Sequence, residues 1–198
     1  MEPFNNKELE LLKNAGVNNE QKSFVEKILK DMPEDLTQFE KARYIYIQLG
    51  KHFSYDEQYI ISNSEKEKRE IFDRDIEDIL NDKVVCTSLS RIYENLLNRV
   101  GINAKTRLVK GERLGHAYTE IELDGVKYRA DLIHDLTYIK TGFKTKHFMQ
   151  IDEKNPSYSH IQEEKLKGID DKIGYTYRRN VYGRIYRNAK RRNESFRW

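Results

Sequence analysis

Residues 84–105 read VVCTSLSRIYENLLNRVGINAK. Leu89, Ile92, Tyr93, Leu96, Leu97 and Val100 recur at spacings of three and four, which predicts an amphipathic helix opening at Cys86 and ending at Gly101. Cys86 lies three residues before Leu89, so its side chain shares the face that packs inward. Free backbone N–H groups and the dipole at a helix start favour a thiolate over a thiol. Cys86 is therefore a candidate nucleophile, and the competing reading is a small buried hydrophobe.

Downstream, residues 115–132 read GHAYTEIELDGVKYRADL. Asp124-Gly125 is a hairpin signal between two alternating runs. A turn of that length sets Leu123 opposite Val126, then Glu122 opposite Lys127, Ile121 opposite Tyr128 and Glu120 opposite Arg129. Thr119–Ala130, Tyr118–Asp131 and Ala117–Leu132 follow. The two opposite-charge pairs support this register. It makes His116 a diagonal neighbour of Asp131 on one face, unless a bulge intervenes. Cys86, His116 and Asp131 then supply the nucleophile, base and orienter of thiol acyl transfer. The Cys86 N–H is the natural first oxyanion donor, and Tyr55 is a candidate for the second. Competing readings have His116 capping a strand and Asp131 pairing with Arg129 or Arg107. His52, His134, His147, His160 and Asp135 fit the hairpin geometry less well.

Upstream the period is helical. Phe24, Ile28 and Leu29 form a stripe that stops before Pro33. Leu36, Phe39, Ala42, Tyr44, Ile45, Ile47 and Leu49 lead to Gly50, expected as a C-cap. The polar Ser62-Asn63-Ser64 separates these from a further amphipathic stripe, Ile71, Phe72, Ile76, Ile79 and Leu80. Residues 141–174 read as loop with some helix. Helices first and strands later predict an α+β fold with an antiparallel sheet.

The chain has 198 residues and a single cysteine, which excludes an internal disulfide and a Cys/His zinc cage. No apolar run reaches the roughly 18–20 residues of a membrane span, and the opening MEPFNNKELELL lacks a signal-peptide pattern. The expectation is a cytoplasmic protein, or one secreted without a classical signal peptide, needing neither cofactor nor metal. The net charge of +3 divides unevenly: residues 175–198 hold eight basic residues and one acid, Glu194. That segment also carries Tyr175, Tyr177, Tyr182, Tyr186, Phe196 and Trp198. Such interleaving suits nucleic acid, an anionic membrane or an acidic protein as partner. It equally suits a terminal helix that packs Tyr182 and Tyr186 on the body.

Residues 84–105 resemble the cysteine helix of the transglutaminase-like superfamily, whose helix ends in a Gly-Ile-Pro-Ala-Arg-like segment, here Gly101-Ile102-Asn103-Ala104-Lys105. Residues 115–132 resemble that family's His-Ala-Trp strand, its turn and the strand ending in the catalytic Asp. Residues 42–56, ARYIYIQLGKHFSYD, resemble the helix and Tyr-Asp that precede the cysteine. The likeness spans about residues 37–135 and carries the family's catalytic roles onto Cys86, His116 and Asp131. It implies a papain-like fold, with a cysteine-bearing helix on an antiparallel sheet that bears the base. Residues 1–174 would form that domain, its first 80 or so residues helical, with 175–198 as the basic aromatic appendage. The implied function is amide acyl transfer on a glutamine or peptide bond of a protein or peptide: deamidase, transglutaminase or cysteine peptidase. The alternative is a non-catalytic module of this fold that binds a partner through its basic tail. Val84, Tyr118 and Leu132 stand where the family commonly has Gly, Trp and Pro, which bears on the oxyanion hole and the cleft shape.

Overall fold

The computed structural model describes residues 19–73, 82–109, 115–151 and 163–176. The chain begins with α1 (Asn19–Lys30) and α2 (Gln38–His52), separated around Pro33. Thr37 and Glu40 form a capping box at the start of α2, the Thr37 N–H donating to Glu40 Oε2 at 2.8 Å. Residues 42–47 of α2 are all buried, so this helix lies inside the molecule rather than on it. Gly50, expected at the end of this helix, sits within it, and Phe53 is the C-cap. The reason is steric: a Cβ at Gly50 would overlap the side chain of Ile139 from a later helix. The glycine serves close helix packing here, not a turn.

Next come β1 (Ser54–Tyr55), α3 (Gln58–Ile61) and α4 (Glu65–Asp73), with Ser62-Asn63-Ser64 lying between the two helices. Ile71 is buried, while Ile76, Ile79 and Leu80 fall outside the described residues. After β2 (Lys83–Val84) the helix α5 (Cys86–Arg99) follows, its Leu89, Ile92, Tyr93, Leu96 and Leu97 all buried. Tyr93 donates its hydroxyl to Ala42 O at 2.9 Å, locking α5 to α2 without leaving a buried polar group unpaired.

The strands β3 (Asn103–Val109), β4 (His116–Leu123) and β5 (Val126–Ala130) form an antiparallel sheet in that order. Asp124 and Gly125 both take positive φ, 52° and 74°, which matches the twist of a tight hairpin. The β4–β5 pairs run from Leu123↔Val126 to Thr119↔Ala130 in the expected register. The ladder ends there: Leu132 does not face Ala117 in a strand but begins α6 (Leu132–Thr141). Leu132, Leu136 and Ile139 form its buried stripe, and Gly142 closes it in the left-handed conformation at φ 70°. The expected charge pairs also differ in detail. Glu120 binds Arg107 at 2.7 Å, with Lys127 at 3.6 Å, leaving Arg129 to turn toward Asp131. A last described helix, α7 (Glu163–Lys172), lies in the polar stretch read as loop with some helix.

Arg43 ties α2 to residues far later in the chain. Fully buried on α2, it donates from Nε and Nη2 to the two carboxylate oxygens of Asp170 at 2.7 and 3.0 Å, and from Nη1 to Thr145 Oγ1 at 2.8 Å. Its guanidinium also lies 4.8 Å from the Phe148 ring centroid. Tyr175 is buried and donates to Phe143 O at 2.9 Å, so the first residue of the basic segment packs with the body. Tyr182, Tyr186 and the segment's basic residues lie outside the described residues. Among the described residues no helix is long and apolar enough to cross a membrane.

Removing one partner of a buried ion pair strands the other, at a cost of about 3–5 kcal/mol. Arg43→Met should lose stability on that scale in urea denaturation, and Arg43→Met/Asp170→Leu should recover much of it. A single variant within about 1 kcal/mol of wild type would show that the pair does not hold α7 in place.

Candidate functional site

Cys86 is placed by a short parallel ladder. Ser54 pairs with Lys83 and Tyr55 with Val84, sealed by Ser54 N–H to Asp82 O at 2.8 Å and Asp56 N–H to Val84 O at 2.9 Å. This brings the start of α5 beside Tyr55. The cap residue Val85 has no side chain able to accept, so no side-chain cap covers the helix start. Ser88 Oγ accepts from the Val85 N–H at 3.1 Å instead, and the Thr87 hydroxyl donates to Phe72 O. Cys86 itself is buried, 6% exposed.

His116 begins β4, and Asp131 stands at the corner between β5 and α6. The ring Nε2 lies 2.8 Å from Asp131 Oδ2. Cys86, at the start of α5, acts electrostatically on the same imidazole and favours its charged form. Asp131 is 1% exposed, and its backbone N–H donates to His147 O at 2.9 Å. Arg129 Nη2 donates to the same Oδ2 at 2.7 Å while its guanidinium lies 4.3 Å from the Tyr118 ring centroid. The pairing with Arg129, weighed as a competing role for Asp131, thus coexists with the His116 contact.

Burial opposes charge on His116, but the hydrogen bonds to Asp131 and Cys86 and their negative charge outweigh it, raising its pKa from 6.5 to about 9. Burial likewise acts to raise the Asp131 carboxyl. The hydrogen bond from His116, the nearby His134 and Arg129 overcome it, and the group is held below the ordinary aspartate value. Burial raises the Tyr55 phenol to about 12, helped by charge on Cys86, so Tyr55 keeps its proton at neutral pH.

The remaining candidates separate cleanly. Asp135 is an internal latch, accepting from Tyr46 Oη at 2.7 Å and from the Lys146 and His147 N–H groups at 2.9 Å each. His52 stacks on Phe24 and pairs with Asp82 at 3.0 Å. His160 lies outside the described residues. His134 does join the site, its ring 4.9 Å from that of His116. It follows Asp131 by three residues on α6, a spacing that would have shown the proximity had the helix been foreseen. Burial lowers the pKa of His134, His147 and His116 lower it further, and Asp131 opposes them.

His116, Asp131 and His134 each offer a donor atom within 4.8 Å of the others, a spacing a transition metal could draw together. The Arg129 guanidinium on Asp131 Oδ2 opposes a second cation there, and a metal would consume the His116–Asp131 hydrogen bond. The residues fit an acid–base pair better than a metal centre.

No family model matches this sequence, and no curated protein matches it. A solved structure of a TGase resembles the chain with a TM-score of 0.45 at 18% identity, covering 80% of this chain. The chain spans 42% of the length of that structure.

Stability should report the His116 charge. A histidine charged up to about pH 9 in the fold, against 6.5 ordinarily, adds stability that is complete below pH 6.5 and lost as pH rises to 9. Proton-detected titration should place the His116 midpoint near 9. In Asp131→Asn it should drop sharply, and the stability loss over the same pH interval should flatten. An unchanged midpoint would mean that the carboxylate does not hold the imidazolium.

Proposed function

We propose that this protein is a thiol-dependent enzyme of amide chemistry, built on a papain-like, transglutaminase-like arrangement of a cysteine-bearing helix over an antiparallel sheet. The observation that carries this reading is His116, bound at Nε2 to the buried Asp131 carboxylate, its charged form favoured by both Asp131 and Cys86. The substrate class is a protein or peptide carrying a glutamine carboxamide or a peptide bond.

Cys86 Sγ, as thiolate, attacks the carbonyl carbon, and the carbonyl π electrons move to oxygen. The Cys86 N–H and the Tyr55 hydroxyl are the groups to receive that oxyanion. Collapse of the tetrahedral adduct breaks the C–N bond as the His116 imidazolium gives its proton to the leaving nitrogen. The products at this point are a thioester on Cys86 and free ammonia or amine. Water, or an amine, then attacks the thioester while neutral His116 takes its proton, and the thiolate leaves. Asp131 holds the ring orientation through both halves and offsets the imidazolium charge. A buried Asp beside an Arg is poorly placed to take the proton itself, so its role is positional and electrostatic.

The test is mass spectrometry of a cell extract treated with wild-type protein or with Cys86→Ala. Wild type alone should convert glutamine amide to acid, form crosslinks or create new termini, and His116→Ala should cut the rate roughly 10²–10⁴-fold. Iodoacetamide should label native Cys86 readily near neutral pH and slowly in His116→Ala. Identical extracts, together with labelling that does not depend on His116, would overturn the enzyme reading in favour of a binding module.

A further inference from the structure

A cleft of about 480 Å³ opens between α4 and the start of β4. Its size falls in the range of ligand sites. Two of its lining residues, Phe72 and Gly115, adjoin the neighbours of Cys86 and His116. Phe72, in its wall, receives the Thr87 hydroxyl on its carbonyl, one residue from Cys86. Gly115, at its edge, precedes His116, and a Cβ there would stand 3.6 Å from the Phe72 ring. Tyr59 lines the same cleft, its phenol pKa raised by burial and, after that, by charge on Cys86.

The walls and rim differ in chemistry. Tyr59 and Phe72 stack with centroids 6.1 Å apart, giving an apolar surface. Lys66, Lys68 and Arg69 bring three cations to the same cleft against a single carboxylate, Glu65. Lys68 pairs with Glu65 at 3.4 Å and Lys66 with Glu70 at 3.8 Å, both solvent-exposed contacts of little strength. Arg69 pairs with no described residue. A guanidinium beside an aromatic wall suits a planar carboxylate carried on a short apolar stem.

We infer that this cleft is a specificity pocket for an acidic residue, aspartate or glutamate, flanking the amide that Cys86 attacks. The inference rests on the reading of Cys86 as nucleophile and narrows it to acidic peptide segments. Docking the flanking carboxylate at Arg69 would set the neighbouring amide over the Cys86–His116 pair, using binding away from the reacting bond to orient it.

Binding to Cys86→Ala protein tests the pocket without requiring turnover. The probes are two short fluorescein-labelled peptides with a central glutamine, one flanked by glutamates and the other by serines. The acidic peptide should bind roughly tenfold more tightly, a preference that falls with added salt. Arg69→Glu in the same background should remove the preference, and Lys66→Glu should weaken it, each with an unchanged melting profile. Equal affinity for the two peptides would overturn the inference. So would tighter binding of a labelled single-stranded oligonucleotide that Arg69→Glu abolishes, which would make the cleft a nucleic-acid site. A preference for the acidic peptide without turnover by wild type would uphold the pocket and count against the catalytic reading.

Discussion

The site exists because the first turn of one helix must meet the first residue of one strand. Helix α5 lies across β3 and β4, with Thr119 of the sheet donating its hydroxyl to Ser90 O at 3.2 Å. Ile121 and Leu123 pack into the same buried cluster as Leu89, Ile92 and Leu96. Sliding the helix by one turn would shift Cys86 by about 5.4 Å and separate it from His116. The tyrosine bond to Ala42 O and the Val84–Tyr55 pair oppose such a slide from two other directions. Apolar packing sets the position, and a few buried hydrogen bonds keep it from drifting.

Asp131 is the electrostatic counterpart of that mechanical constraint. It is almost sealed from solvent, yet serves two cationic partners through one oxygen, Oδ2. Its other oxygen has no hydrogen-bond partner among the described residues. A buried carboxylate so arranged is tolerable only while charge faces it, so the imidazolium and the guanidinium stabilise the site as much as the site holds them. His134 sets its ring edge-on to that of His116, and burial disfavours a further charge there.

Much of this was legible in the residues themselves. The Asp124-Gly125 turn dictates the pairing of the strands on either side, and with it the approach of His116 to Asp131, because two residues of positive φ leave little choice of register. The cysteine helix was equally plain, since its stripe is long and strongly periodic. Helix α6 was not, because Leu132 and Ile133 directly extend an alternating strand and nothing local marks Asp131 as the corner. Its start is decided by distant groups, the His147 carbonyl on Asp131 and the Lys146 and His147 amides on Asp135. Gly50 was misread for a similar reason: its need for a missing Cβ comes from Ile139, which lies far along the chain. The charge partners of Glu120 and Arg129 were settled by competition among neighbours, which a pairwise reading of facing residues does not weigh.

The pairing of Arg43 with Asp170, 127 residues later, also bears on how the molecule comes to be made. As the chain leaves the ribosome, α2 emerges long before its counter-charge has been synthesised. A guanidinium without that carboxylate cannot enter an apolar interior cheaply. The central helix therefore has to wait, partly solvated, while the cysteine helix and the sheet assemble around it. Closure of the core, and with it the final seating of the site, waits on the emergence of Asp170, a long-range dependence of the kind that slows folding.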